Sequence, residues 1–219
     1  NAGFLQCYGM TETTGTIAVL PPEDHDLEGN ARMRSAGRAV PGAQIRILGE
    51  DGVELPRGQV GELVVKSPSN MIGYWNLDEA TRSSLKDGWM HTGDAAYMDE
   101  DGYVFIQDRI KDMIISGGEN IYPAQVESAI YGHPAVAEVA VIGVPDDVWG
   151  EAVKACVVAR PGQTVEPDSV IEWTRERLAG FKVPKSVDVI PALPRNASGK
   201  ILRRELRAPY WKGRERQVN

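Results

Sequence analysis

The sequence predicts an α+β protein built as a distorted β-barrel subdomain over residues 1–108 followed by a small α+β domain over 112–219. Three observations predict it. The first half is rich in apolar/polar alternation interrupted by Gly- and Asp-containing turns, which marks strands and hairpins. The second half interleaves strand-like apolar runs with segments of helical period. The change of character falls near Asp108 to Asp112, inside one short charged stretch.

The elements follow in order. The opening "GFLQCYGMTETTG" runs into a loop-rich stretch with Pro21, Pro22 and "DHDLEGN". "AQIRIL" alternates as a strand, "GEDGVELPRG" reads as a hairpin turn, and "GELVVKS" alternates again. "LDEATRSSL" is a short helix opened by acidic residues, which suit a helix N-terminus. "AAYMDEDGYVFI" is a hairpin turning at Asp101-Gly102. Beyond the boundary, Pro123 opens the helix "PAQVESAIYGH", with Val126, Ala129, Ile130 and His133 on one face. "VAEVAVIGV" and "EAVKACVVA" are strands. Asp168 is expected to cap the helix "SVIEWTRERLAG", and Gly180 to end it. "SVDVIP" is a further strand and "ILRRELRA" a final helix.

Composition narrows the function. An apolar share of 42% in 219 residues is enough for a buried core. The net charge of −7 argues against general nucleic-acid affinity, which needs a basic footprint. Cys7 and Cys156 are the only cysteines and sit far apart, so neither a disulfide framework nor metal spacing is indicated, and a reduced, cytoplasmic setting is expected. His25, His91 and His133 are scattered and read as structural or surface residues. No apolar run is long enough to span a membrane, and no signal peptide is visible. The chain begins with Asn1 directly on a motif, so it is expected to be a piece of a longer protein. The sequence is compatible with a homo-oligomer.

Four stretches carry chemistry. "YGMTETTG" gathers hydroxyls, a glutamate and two glycines, which suit phosphate oxygens and a magnesium ion, although a polar turn explains it equally well. "HTGD" places Asp94 after a Gly turn, where a carboxylate can accept two ribose hydroxyls or simply serve the turn. "DRIKDMIISGGEN" puts Gly117 and Gly118 after an apolar run, implying an unusual backbone or a close approach to it. "PRNASGK" ends in Lys200 after Gly199, a mobile point charge on a turn.

Together and in this order, "YGMTE", "HTGD", "DRIKDMIISGGENIYPAQVE" and "PRNASGKILRREL" resemble the adenylate-forming superfamily, which includes acyl-CoA synthetases and the adenylation domains of peptide synthetases. "GGENIYPAQVE" and the tail "LRAPYWKGRERQV" are similar to bacterial fatty-acyl-CoA synthetases, and the resemblance runs from Cys7 to about Arg216. It implies that residues 1–108 complete a large AMP-binding domain, that 109–111 form a hinge and that 112–219 form a rotating lid. The family's phosphate loop and most of its acyl pocket lie upstream, so the chain is expected to be inactive alone.

The activity implied is that of an acid–thiol ligase. A carboxylic acid, expected to be a fatty acid, attacks the α-phosphate of ATP to give acyl-adenylate and pyrophosphate, and CoA then displaces AMP. By resemblance Tyr8 and Gly9 belong to the adenine side, Thr11 touches phosphate and Glu12 holds Mg²⁺. Asp94 and Arg109 take the ribose, and Lys200 bridges the attacking carboxylate and the α-phosphate. Lys111 matches the hinge position. Gly117, Gly118 and Trp149 match the pantetheine tunnel, and Phe181 and Lys185 the CoA nucleotide contacts. Val183 departs from the pattern, standing where some members carry a basic residue. The alternatives are an adenylating enzyme with another acceptor, such as a carrier-protein thiol, and a non-catalytic nucleotide-binding module.

Overall fold

The computed structural model describes residues 2–214 and separates into two compact units, Asn1–Arg109 and Ile110–Asn219. The last residues of the tail motif, 215–218, and residue 219 lie outside the described residues.

The first unit holds two antiparallel sheets. β1 (Gln6–Met10), β2 (Gly15–Leu20) and β3 (Arg38–Ala39) form one. The other has the order β4 (Gln44–Leu48), β5 (Gly61–Lys66), β7 (Trp89–Met98), β6 (Leu85–Lys86), with β8 (Val104–Arg109) also on β7. Ile17, Ile47, Leu63, Val65, Ala96, Met98 and Val104 make their shared core. In β4 the buried Ile47 and half-buried Ile45 alternate with exposed Gln44 and Arg46, as a one-sided strand requires, whereas Leu63, Val64 and Val65 of β5 are all buried. A short helix α1 (Asp78–Ser84) precedes β6.

The register breaks twice where function is expected. β1 slips against β2 between Tyr8 and Gly9. There a Cβ on Gly9 would lie 1.9 Å from the Gly15 carbonyl oxygen, so only glycine fits. β5 and β7 slip between Glu62 and Val64: Glu62 pairs with Ala95 and Val64 with His91, leaving Leu63 opposite Thr92, Gly93 and Asp94.

The second unit is one sheet in the order β10 (Glu119–Ile121), β9 (Ile114–Ser116), β12 (Gly150–Ala159), β11 (Val136–Asp146), with β13 (Ser186–Val189) parallel to β12. Both faces are covered, which is why "VAEVAVIGV" reads as a nearly continuous apolar run. On one face α2 (Pro123–Tyr131) and α3 (Pro167–Arg175) bring Val126, Ile130 and Val170 against Val139, Val141, Val153 and Val157. On the other, Leu193, Ile201 and Leu206 pack on Ala140, Ile142 and Cys156, with Leu206 carried by α4 (Arg203–Arg207).

Several sequence expectations shift. The turn before β8 is a wider loop rooted on Asp99, which accepts from Gly102 N and, through its side chain, from Tyr103 N. Asp168 does not cap α3. Pro167 opens the helix after Glu166 and no side chain caps it, so Asp168 sits inside the first turn, where its charge faces the helix dipole. Gly180 does not end α3 either. The helix ends at Arg175, where the Arg177 amide closes a tighter 3-10-type bond to Thr174 O at 3.0 Å and Leu178 packs against the core. Gly180 instead begins a separate 3-10 turn, Gly180–Lys182. His133 is structural as expected: buried, edge-on to Trp173, with Ala135 N donating to its Nδ1.

Candidate active site

The first unit gathers Tyr8, Asp94 and Arg109. Asp94 and Arg109 are direct partners across β7 and β8, which places the guanidinium beside the carboxylate. Arg109 Nε lies 2.9 Å from Asp94 Oδ1, and its NH1 donates to Thr92 O at 2.9 Å. The Tyr8 hydroxyl donates to the other Asp94 oxygen. Burial, and then the hydrogen bond to and charge of Asp94, hold the Tyr8 hydroxyl firmly protonated, well above the usual phenol range. Its ring leans on the barrel core, so Tyr8 is a donor to Asp94 as well as a flat surface. Asp94 is buried yet keeps carboxylate lone pairs beyond these two contacts, which is what a diol would need.

The "TET" stretch is a 3-10 turn, Thr11–Thr13, after β1. Thr13 is buried and serves the turn itself: its hydroxyl bonds Met10 and Gly15 main-chain atoms. Thr14 takes a left-handed φ of 56°, which swings the chain into β2. Thr11 stays exposed. Glu12 is held from outside the motif: Tyr74 Oη donates to Glu12 Oε1 at 2.8 Å, and Met71 N donates to Glu12 O at 2.7 Å. Sequence reasoning missed Tyr74, whose signal was an aromatic residue directly after Gly73. Among the described residues no group of three or more His, Cys, Asp or Glu is placed to hold a metal. A single carboxylate suits a magnesium ion that draws its other ligands from phosphate and water.

The second unit carries two separate features. Gly117 and Gly118 are the two-residue turn between β9 and β10, with φ of 60° and 84°, the positive values a tight hairpin turn demands. Gly117 also meets a neighbour: its N–H donates to Trp149 O at 2.9 Å, and an added Cβ would lie 2.8 Å from the indole. Trp149 is half exposed at the β11–β12 hairpin, where Asp146 Oδ1 accepts from Val148 N and Trp149 N at 2.9 Å each. Those two amides hold the Asp146 carboxyl below the usual range, with Lys185 adding to the effect. Gly117, Gly118 and Trp149 therefore belong to one neighbourhood, while Lys185 N donates to Val153 O at 2.8 Å farther along β12. Phe181 is exposed, with the Lys182 ammonium 5.4 Å from its ring centre. Val183 is buried.

Lys200 is the other feature. Asn196 Oδ1 accepts from Ser198 N, Ser198 Oγ and Lys200 N at 2.8–3.0 Å, and Asn196 N donates to Lys200 O at 3.0 Å. Gly199 supplies φ of 82° and its carbonyl takes Arg195 NH1 at 2.7 Å. The backbone is thus wound around one amide while the lysine side chain is exposed. Behind it, Arg203 of α4 grips Glu127 of α2 through two 2.8 Å contacts, and Arg207 reaches Asp112 at 2.9 Å. Glu127 and Arg203 were not singled out in the sequence, because charges on short helices usually face water, and Asp112 was read only as part of the charged boundary stretch. Lys111 lies in a 3-10 turn, Ile110–Asp112, at the start of this unit, and its carbonyl accepts from Arg207. Among the described residues no hydrogen bond or ring contact joins Lys200 to the Gly117–Trp149 group.

Comparison with known proteins agrees with these motifs. The family model for AMP-binding enzymes matches residues 1–75, and that for the AMP-binding enzyme C-terminal domain matches 125–200. The chain is 50% identical over 216 residues to a fatty acid–[acyl-carrier-protein] ligase of Streptomyces coeruleorubidus, covering 99% of this chain and 41% of that one. It is 50% identical over 207 residues to a feruloyl-CoA synthase of an Amycolatopsis species, covering 94% and 41%. Among solved structures it is similar to the o-succinylbenzoate CoA synthetase of Bacillus subtilis with its acyl-adenylate intermediate, at 42% identity and TM-score 0.85 over 93% of this chain and 41% of that one. The same synthetase with ATP and magnesium ion matches at TM-score 0.83 and 42% identity, over 92% and 41%. The chain belongs to the adenylate-forming, AMP-binding superfamily. It spans about two fifths of the length of the curated relatives it matches.

Proposed function

We propose that this chain is the C-terminal portion of an ATP-dependent acid–thiol ligase that activates a carboxylic acid, a fatty acid in our reading, as its acyl-adenylate and passes the acyl group to CoA. The Tyr8–Asp94–Arg109 cluster carries the reading, because it sets a buried carboxylate with lone pairs to spare beside a fixed cation, the chemistry a ribose diol would need. Asp94 accepts the ribose hydroxyls. Thr11 donates to phosphate, and Glu12, steadied by Tyr74, would hold Mg²⁺, which neutralises charge on the phosphates. In this reading Lys200 would be brought to the attacking carboxylate and the α-phosphate, screening their repulsion as the bond forms. The lid then pivots at Lys111. Gly117 and Gly118 leave room for the pantetheine arm beside Trp149, and CoA sulfur attacks the acyl carbon, expelling AMP.

A second reading keeps the adenylation and changes the acceptor to a carrier-protein thiol. Val183 favours it, since a buried valine offers no charge to the CoA 3′-phosphate side. So does the similarity to a relative named as an acyl-carrier-protein ligase. Both readings are tested with the full-length protein, by ATP–pyrophosphate exchange with fatty, aromatic and dicarboxylic acids, then by thioester formation with CoA and with a phosphopantetheinylated carrier. No exchange with any acid overturns both. Exchange with thioester on the carrier alone overturns the first.

A further inference from the structure

Resting on the ligase reading, we propose that Glu62 is a positioning residue for the nucleotide, holding the turn that presents Asp94. The observation is the break in the β5–β7 ladder. Opposite Leu63 alone stand Thr92, Gly93 and Asp94, so pairing with β5 cannot satisfy all three backbone groups. Buried main-chain donors left without partners are costly, so side chains must replace the ladder. They do. Glu62 Oε1 accepts from Gly93 N at 3.2 Å, and its Oε2 lies 2.7 Å from His91 Nδ1. Thr92 Oγ1 donates to Leu63 O at 2.7 Å and accepts from Asp94 N at 3.1 Å.

The two halves of this brace differ in kind. Thr92 is buried within the motif and bonds Asp94 itself. Glu62 comes from another strand and clamps the residues on either side of Thr92. Gly93 has φ of 70°, a conformation with little intrinsic preference for one geometry in glycine. An external acceptor is therefore what selects it. The side chains of Glu62 and His91 are about three quarters or more buried, so this hydrogen bonding is shielded from water. Moving Gly93 moves Asp94 relative to Arg109, which also holds Thr92 O.

Two measurements test the proposal. In the 219-residue chain, Glu62→Ala should speed amide hydrogen exchange at Gly93 and Asp94 by at least tenfold, while amides of β11 and β12 in the other unit are unchanged. Glu62→Gln keeps an acceptor oxygen and should stay near the parent. In the full-length protein, Glu62→Ala should raise KM for ATP roughly tenfold, the scale of one lost charge-assisted hydrogen bond, with kcat for pyrophosphate exchange altered less than about twofold. Glu62→Gln should restore KM. Unchanged exchange at Gly93, or a Glu62→Gln protein as impaired as Glu62→Ala, overturns the positioning role. So does a fall in kcat and stability with KM unmoved, the mark of a merely structural residue. Faster exchange at Gly93 in a protein whose unmutated form makes no adenylate supports the brace and overturns the ligase reading instead.

Discussion

Lys200 and Gly9 are expected to matter for opposite reasons, one for its charge and one for its lack of a side chain. Lys200 has no packing role: its backbone is fixed by Asn196 and its ammonium is exposed. In the full-length protein Lys200→Ala should lower adenylation by ~10²–10³, the usual weight of one preorganised charge-stabilising group. Thioester formation from ready-made acyl-adenylate should persist, and an equal fall in both half-reactions would count against a role confined to the first. Gly9 matters for the opposite reason. With its Cβ position 1.9 Å from Gly15 O, Gly9→Ala must push β1 off β2, a strain of about 1–3 kcal/mol. Thermal unfolding of the first unit should move down accordingly, and the displaced Tyr8 should weaken ATP binding. Unaltered melting would show that the bulge relaxes freely.

At the scale of elements, the strands and helices were largely legible and the braces between them were not. Burial made the strands legible, as an alternating period in "AQIRIL" and, where both faces are covered, as an apolar run in "VAEVAVIGV". The β9–β10 hairpin announced itself only as an odd pair of glycines, and its type follows from their two positive φ values. Tyr74, Glu62, Glu127 and Arg203 left no local pattern, because each acts on a partner at least 29 residues away in sequence. Ends of α3 misled for a similar reason: Asp168 and Gly180 are good capping residues, but Pro167 and the packing of Leu178 set the limits. The turn Ile110–Asp112 invites an element-level test. Its hydrogen bond runs from Met113 N to Ile110 O, so Lys111→Pro does not remove it. Proline does fix φ near −65° and restrict Ile110, which opposes the large backbone rotation of a hinge. The expected outcome is adenylation largely kept and thioester formation severely reduced, with circular dichroism confirming the fold. Normal thioester formation would place the pivot elsewhere.

Over the whole molecule, the two units carry separate cores and separate liabilities. In the second, Cys156, Lys154, Asp188 and Tyr210 form one buried-to-exposed cluster. Lys154 Nζ contacts Asp188 Oδ1 at 2.6 Å, and the Tyr210 hydroxyl donates to the other Asp188 oxygen. Burial, then the Asp188 charge, pushes the Cys156 thiol from 9.0 up to about 11. The Asp188 hydrogen bond, then burial, pushes the Tyr210 hydroxyl from 10.0 up to about 12. Both pKa values are higher folded than unfolded, so the unfolded chain releases these protons first. Their contribution to stability is complete below pH 9.0 and is lost as pH rises through about 11 to 12. Denaturant titrations of the second unit should show that loss, and Cys156→Ala should flatten its lower part. A flat profile to pH 11 would mean the thiol ionises as easily folded as unfolded.

If Lys200 docks on a nucleotide as proposed, the turn around Asn196 bears on the second unit as a whole, and it concerns disorder. Immobilising a loose loop costs roughly 1–2 kcal/mol per residue in backbone freedom, so five floppy residues from 196 to 200 would tax each docking event heavily. Here the winding around one amide oxygen has already removed that freedom during folding. What remains to be ordered when Lys200 meets an anion is its own side chain, about 2 kcal/mol of rotamer entropy. That small cost is recovered on departure, so in the proposed ligase a cation presented this way would be engaged and released without a deep energetic well at either end.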